Sequence, residues 1–204
     1  MAPTLDETEE VLRKDIKMAA TTFNDIVKRI KEFKQLIREK QRFLGIINQE
    51  VTYGKKSYEQ FAQECEDAVK RPILDKLHLL LTDFNILGQE LQRAIYVIKT
   101  LAGALSELEK SFGQVGTIYV MTEESIKEVL KILYGLNVNI EELVQGLLRE
   151  NAKDRLELIQ NVPNQLYALL DSILNIAQKD MKHILQLYKF QFRFYRELKN
   201  AKRA

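Results

Sequence analysis

The sequence predicts an all-α protein: an elongated antiparallel helical coiled-coil bundle of three long helices with proline kinks. Three observations carry this expectation. Apolar residues recur at alternating steps of three and four along most of the chain. Turn formers are scarce, with Gly 8 and Pro 3 in 204 residues. Two prolines are placed symmetrically about a glycine-containing stretch: Pro72 lies 41 residues before Gly113, and Pro163 lies 41 residues after Thr122. If Gly113-Gln114-Val115-Gly116-Thr117 is the loop of a helical hairpin, the prolines come to rest side by side and the hairpin extends roughly 60 Å beyond them.

The first helix is read from Leu12, Ile16, Ala19, Phe23, Ile26, Ile30, Phe33, Ile37, Leu44, Ile47 and Val51, with Lys40 the one interruption. This 3.5-residue period marks helices wrapped around partner helices. Tyr53-Gly54-Lys55-Lys56-Ser57 reads as a turn, with Ser57 a candidate N-cap. The stripe resumes in phase at Tyr58, Phe61, Cys65 and Ala68, so one helix running through Gly54 is the alternative.

Past Pro72 the phase shifts by one residue and continues through Ile73, Leu77, Leu80, Phe84, Leu87, Leu91, Ala94, Ile98, Leu101, Leu105, Leu108 and Phe112. No Gly, Asn or Asp flanks Pro72 to make a tight turn, which favours a kink there. Thr122 and Ser125 are candidate N-caps for the next stretch, followed by Ile126, Val129, Leu133, Leu136, Ile140, Leu143 and Leu147. Residues 149–155 lack large apolar side chains and read as a solvated stretch or frayed loop. Asn161-Val162-Pro163-Asn164 gives the second kink or turn. The stripe then returns from Leu166 through Leu170, Ile173, Ala177, Met181, Ile184, Leu187 and Phe194. No linker composition divides the chain, so residues 1–204 read as a single helical domain with a flexible acidic N-terminus over residues 1–10.

Catalytic chemistry finds no constellation, and the expectation is a non-enzyme without cofactor or metal. His78 and His183 stand apart from each other, Glu-x-x-His does not occur, and both read as surface or half-buried structural histidines. Gly113-Gln114-Val115-Gly116 lacks the Lys and Ser/Thr of a phosphate loop. The single Cys65 falls on the apolar stripe, which reads as a buried, inert thiol and fits a reducing, cytoplasmic setting. The N-terminus lacks the apolar core of a signal peptide, and no stretch is long and apolar enough to span a bilayer.

Charge is the more informative signal. The chain is only +2 overall, yet residues 28–42 carry seven cations against two carboxylates, and residues 179–203 carry eight against two. The plain reading of both clusters is solvated helix faces. The functional reading is a surface attracting anionic phospholipid, with Lys28, Arg29, Lys31, Lys34, Arg38, Arg42, Lys182, Lys189, Arg193 and Arg196 as membrane-binding candidates. Nucleic acid is the lesser candidate for the same charge. Aromatic residues lie all round the last helix, and Phe190, Phe192, Phe194 and Tyr195 are the candidates for a homodimer interface.

The segment from Gln178-Lys179-Asp180-Met181-Lys182 to Gln191-Phe192-Arg193-Phe194-Tyr195-Arg196-Glu197-Leu198 resembles the end of the third helix in BAR domains. The gross plan of one straight helix followed by two kinked ones is similar to that family as well. The resemblance implies a crescent-shaped homodimer with a six-helix core, pressing a basic face onto anionic membranes and sensing or shaping curvature as a peripheral membrane scaffold. Two features depart from the family: the arms between Pro72 and Pro163 are not strongly basic, and the stretch from Gly113 to Thr122 lacks the usual tip cations. The alternative, from a different functional class, is a four-helix bundle serving as an adaptor or structural subunit of a protein complex, with turns at Pro72 and Pro163.

Overall fold

The computed structural model describes residues 5–102, 109–149 and 151–203, with side-chain surroundings for residues 9–96, 113–149 and 151–200 apart from 152 and 198. Every described element is helical: α1 (Leu5–Thr52), α2 (Tyr58–Glu64), a π-helical turn (Cys65–Lys70), α3 (Arg71–Ala102), α4 (Glu109–Arg149) and α5 (Ala152–Arg203). The helix from α2 through α3 is unbroken, so the described residues hold four long helical runs where the sequence predicts three. Residues 5–10, expected to be flexible, already belong to α1.

The chain forms two compact units. The first comprises Met1–Ile26, Asp83–Glu128 and Ile176–Ala204; the second comprises Val27–Thr82 and Val129–Asn175. Each draws on α1, α3, α4 and α5, and each has its own apolar core. The first is built on Phe23, Phe84, Leu87, Val115 and Phe194, the second on Phe33, Ile37, Phe61, Leu133 and Leu170, all essentially without exposure.

The first turn forms where expected. Gly54 takes φ 74, the left-handed conformation that glycine adopts without penalty. Ser57 accepts from the Gln60 amide at 3.1 Å, while the Gln60 side chain accepts from the Ser57 amide at 3.3 Å, a reciprocal cap that starts α2. The second turn falls in the solvated stretch: α4 ends at Arg149, and Asn151 accepts from the Lys153 and Asp154 amides at 3.1 and 3.0 Å to start α5.

Neither proline is a turn. Pro72 follows the π-helical turn, in which the Arg71 amide reaches back five residues to the Glu66 carbonyl. That wider turn inserts one extra residue, which explains why burial passes from Cys65 to Val69 and Ile73 rather than to Ala68. It also accommodates a residue with no amide to donate. Pro163 lies inside α5, where it leaves the Ile159 carbonyl without its usual helical donor. The Gln41 side chain of α1 donates to that carbonyl at 3.0 Å. Gln41, next to the Lys40 interruption of the α1 stripe, thus repairs the proline defect in α5.

The expected loop at Gly113 to Thr122 is instead continuous α4. Val115 and Ile118 are buried there, and Thr122, expected as an N-cap, is a buried mid-helix residue whose hydroxyl donates to the Ile118 carbonyl at 2.7 Å. Ser125, the other expected cap, is likewise mid-helix. The expected burial of Ile98, Leu101, Leu105, Leu108 and Phe112 lies outside the described side chains. A Cβ added at Gly113 or Gly116 would meet no atom within 4 Å. Replacing both glycines with alanine is therefore expected to raise stability by about 1–2 kcal/mol, from helix propensity and lost unfolded-state freedom. Chemical denaturation checks this; a loss of stability would contradict a helix at these positions.

Candidate functional surface

The C-terminal part of α5 divides sharply between two faces of the first unit. Its inner face is Ala177, Asp180, Ile184, Leu187, Tyr188, Gln191, Phe194 and Tyr195, all buried. Its outer face follows the same three-and-four spacing: Lys179, Lys182, Gln186, Lys189, Arg193, Arg196 and Asn200 are all exposed. Five cations and two amides succeed one another with no carboxylate at any of these positions. From Lys179 to Arg196 the stripe runs about 26 Å along the helix. Glu197, next to Arg196, accepts from Arg193 at 3.3 Å, an exposed i,i+4 pair worth only about 0.3–0.5 kcal/mol. Arg13 of α1 lies 6.0 Å from the Phe192 ring centroid, bringing another cation to the side of this helix.

The first basic cluster is disposed differently. In the second unit, Lys34 pairs with Asp171 of α5, whose hydrogen bond holds the ammonium above the usual lysine range. Lys34 and Arg38 also lie over the Tyr167 ring, at 4.7 and 4.0 Å from its centroid. Arg38 donates to Asn164 and to Gln41 as well. These two cations fasten α1 to α5. Arg29 is half-buried, leaving Lys28, Lys31 and Arg42 as the exposed candidates of that cluster. Of the ten membrane-binding candidates, Lys182, Lys189, Arg193 and Arg196 share one face. Lys179 joins them although the sequence reading counted it only toward net charge.

The aromatic candidates for a dimer interface are corrected in part. Phe194 and Tyr195 are fully buried by the chain's own helices and belong to the core of the first unit. Phe190 and Phe192 are half-buried, with the Phe190 ring tilted against Phe194 at 5.9 Å between centroids. The sequence shows aromatics on all sides of α5, but their burial depends on which side the neighbouring helices take.

One buried acid escaped the sequence reading. Asp180 is 1 % exposed and accepts from the Ser125 hydroxyl of α4 at 3.0 Å. Burial pushes its carboxyl up to about 6, a rise that the Ser125 hydrogen bond only partly opposes. The folded state therefore favours the protonated acid. The penalty is absent below the unfolded value near 3.8, grows as pH rises, and is complete above about 6. Asp180→Asn is expected to raise stability by about 2–3 kcal/mol at pH 7.5 and by little at pH 4, measured by urea unfolding at the two pH values. Equal effects at both would contradict this burial.

The histidines are placed as expected: His78 is exposed and His183 half-buried. Cys65 is buried, its thiol pushed up to about 12, and is unsuited to attack as a thiolate. Among the described residues no cluster of His, Cys, Asp or Glu is arranged to hold a metal ion, and no helix is long and apolar enough to cross a membrane. No family model, curated protein or solved structure matches the chain. What the α5 stripe can do chemically follows from its layout. A line of exposed cations on a helix concentrates counter-ions and attracts extended anionic surfaces.

Proposed function

We propose that this protein is a non-enzymatic, membrane-associated helical scaffold that docks on anionic phospholipid through the α5 stripe. The observation carrying this reading is the exposed, carboxylate-free stripe that presents Lys179, Lys182, Lys189, Arg193 and Arg196. Each cation held near an anionic leaflet contributes on the order of 1 kcal/mol, so five suffice for reversible, salt-sensitive attachment. In the BAR-like form of this reading the chain acts as a homodimer, and its attachment depends on curvature. Phe190 and Phe192 are then the aromatic side chains available to a second copy.

Co-sedimentation with vesicles tests the proposal. Binding is expected to anionic vesicles at low salt, to fall as salt rises, and to be absent with zwitterionic vesicles. Comparing small with large vesicles reads the curvature dependence. Sedimentation indifferent to both lipid charge and salt would overturn the reading.

The second reading is an adaptor or structural subunit. It is favoured by apolar side chains exposed on the second unit, among them Tyr134, Val138 and Leu156 at 59%, 57% and 46%.

A further inference from the structure

The groove between α4 and α5 in the second unit carries a chemistry opposite to that of the basic stripe. Gly146 of α4 sits against Leu158 of α5 so closely that a Cβ there would lie 2.8 Å from the leucine Cδ1. The two helices are thus drawn together at that level. Leu158 and Val162 remain half-buried between them, and Val138 stands on the α4 side, more than half exposed. Around this apolar floor stand Glu142 and Glu157, both exposed, and the half-buried Asp154. Among the described residues none forms an ion pair with these three carboxylates.

We propose that this groove docks a basic amphipathic helix of a partner protein. Side chains at i, i+3, i+4 and i+7 of such a helix would fill the apolar floor between α4 and α5, while its Lys and Arg residues face the carboxylate rim. An anionic membrane is repelled by the same rim. The exposed stripe of α5 from Lys179 to Asn200 in a second copy offers cations and amides but no apolar residue to fill the floor. The inference does not rest on the membrane reading, because the groove and the stripe belong to different units.

The test is fluorescence anisotropy of a labelled peptide of Leu and Lys, about 18 residues long so that a helix can form, with leucines at i, i+3, i+4 and i+7. The control is a scrambled peptide of identical composition. The periodic peptide is expected to bind with a dissociation constant on the order of 10 µM or tighter, and the scrambled one at least about tenfold more weakly. The double variant Glu142→Lys/Glu157→Lys should weaken the periodic peptide about tenfold or more, and Val138→Ser a few-fold. All three positions are exposed, so the variants should keep the wild-type melting curve. Absence of binding at about 100 µM, or binding unchanged by the double charge reversal, would overturn the proposal.

Discussion

Phe194→Ala is expected to lower the unfolding free energy by about 3–5 kcal/mol, with no dependence on protein concentration. The reasoning starts from burial. The ring is completely enclosed within the first unit, tilted against Phe190 and adjacent in sequence to the equally buried Tyr195. Removing it discards the transfer free energy of the ring and leaves a cavity that rigid neighbouring helices fill only in part. Phe190→Ala, at a half-buried position, should cost distinctly less. Urea unfolding of both variants at two protein concentrations separates core from interface. If Phe194 were a contact between subunits, the cost of its truncation would itself change with protein concentration.

The quadruple variant Lys182→Gln/Lys189→Gln/Arg193→Gln/Arg196→Gln should lose about 4 kcal/mol of attachment to anionic vesicles, roughly a thousandfold in affinity. All four side chains are exposed on α5, and among the described residues their only ion pair is the weak Arg193–Glu197 pair. The fold should therefore be unaffected, and helical circular dichroism and melting temperature provide that control. The wild-type salt dependence should flatten in the variant, since fewer counter-ions remain to be released. A variant that binds vesicles as tightly as wild type would remove the stripe from the proposal.

Much of the fold was legible because burial follows the heptad-like spacing closely. Phe23, Ile26, Ile30, Phe33, Ile37, Leu44 and Ile47 are all buried in α1, and Leu77, Leu80, Phe84, Leu87, Leu91 and Ala94 in α3. The phase shift at Pro72 was visible as a missed step, and its cause is the π-helical turn before the proline. The misread elements share another cause. Gly113 and Gly116 read as punctuation from their intrinsic preferences, yet tertiary packing overrides such preferences in long helices. Val115 and Ile118 continue the buried stripe through the glycines. The donor that repairs Pro163 comes from Gln41, more than a hundred residues away, and no local pattern reveals it.

The basic surface was legible only as charge density. Two clusters of similar net charge have different roles because Tyr167, Asp171 and Asn164 occupy Lys34 and Arg38, whereas no such partners face Lys182, Lys189 or Arg196 among the described residues. The division depends on which helix packs beside each cluster, and that is a long-range property.

Lysine acylation footprinting on anionic vesicles tests the account most directly. Lys179, Lys182 and Lys189 should become protected when vesicles are added, and regain reactivity at high salt. Lys28 and Lys31 should label equally with and without lipid. Protection of Lys28 and Lys31 with the α5 lysines still fully reactive would contradict the assignment of the docking face to α5.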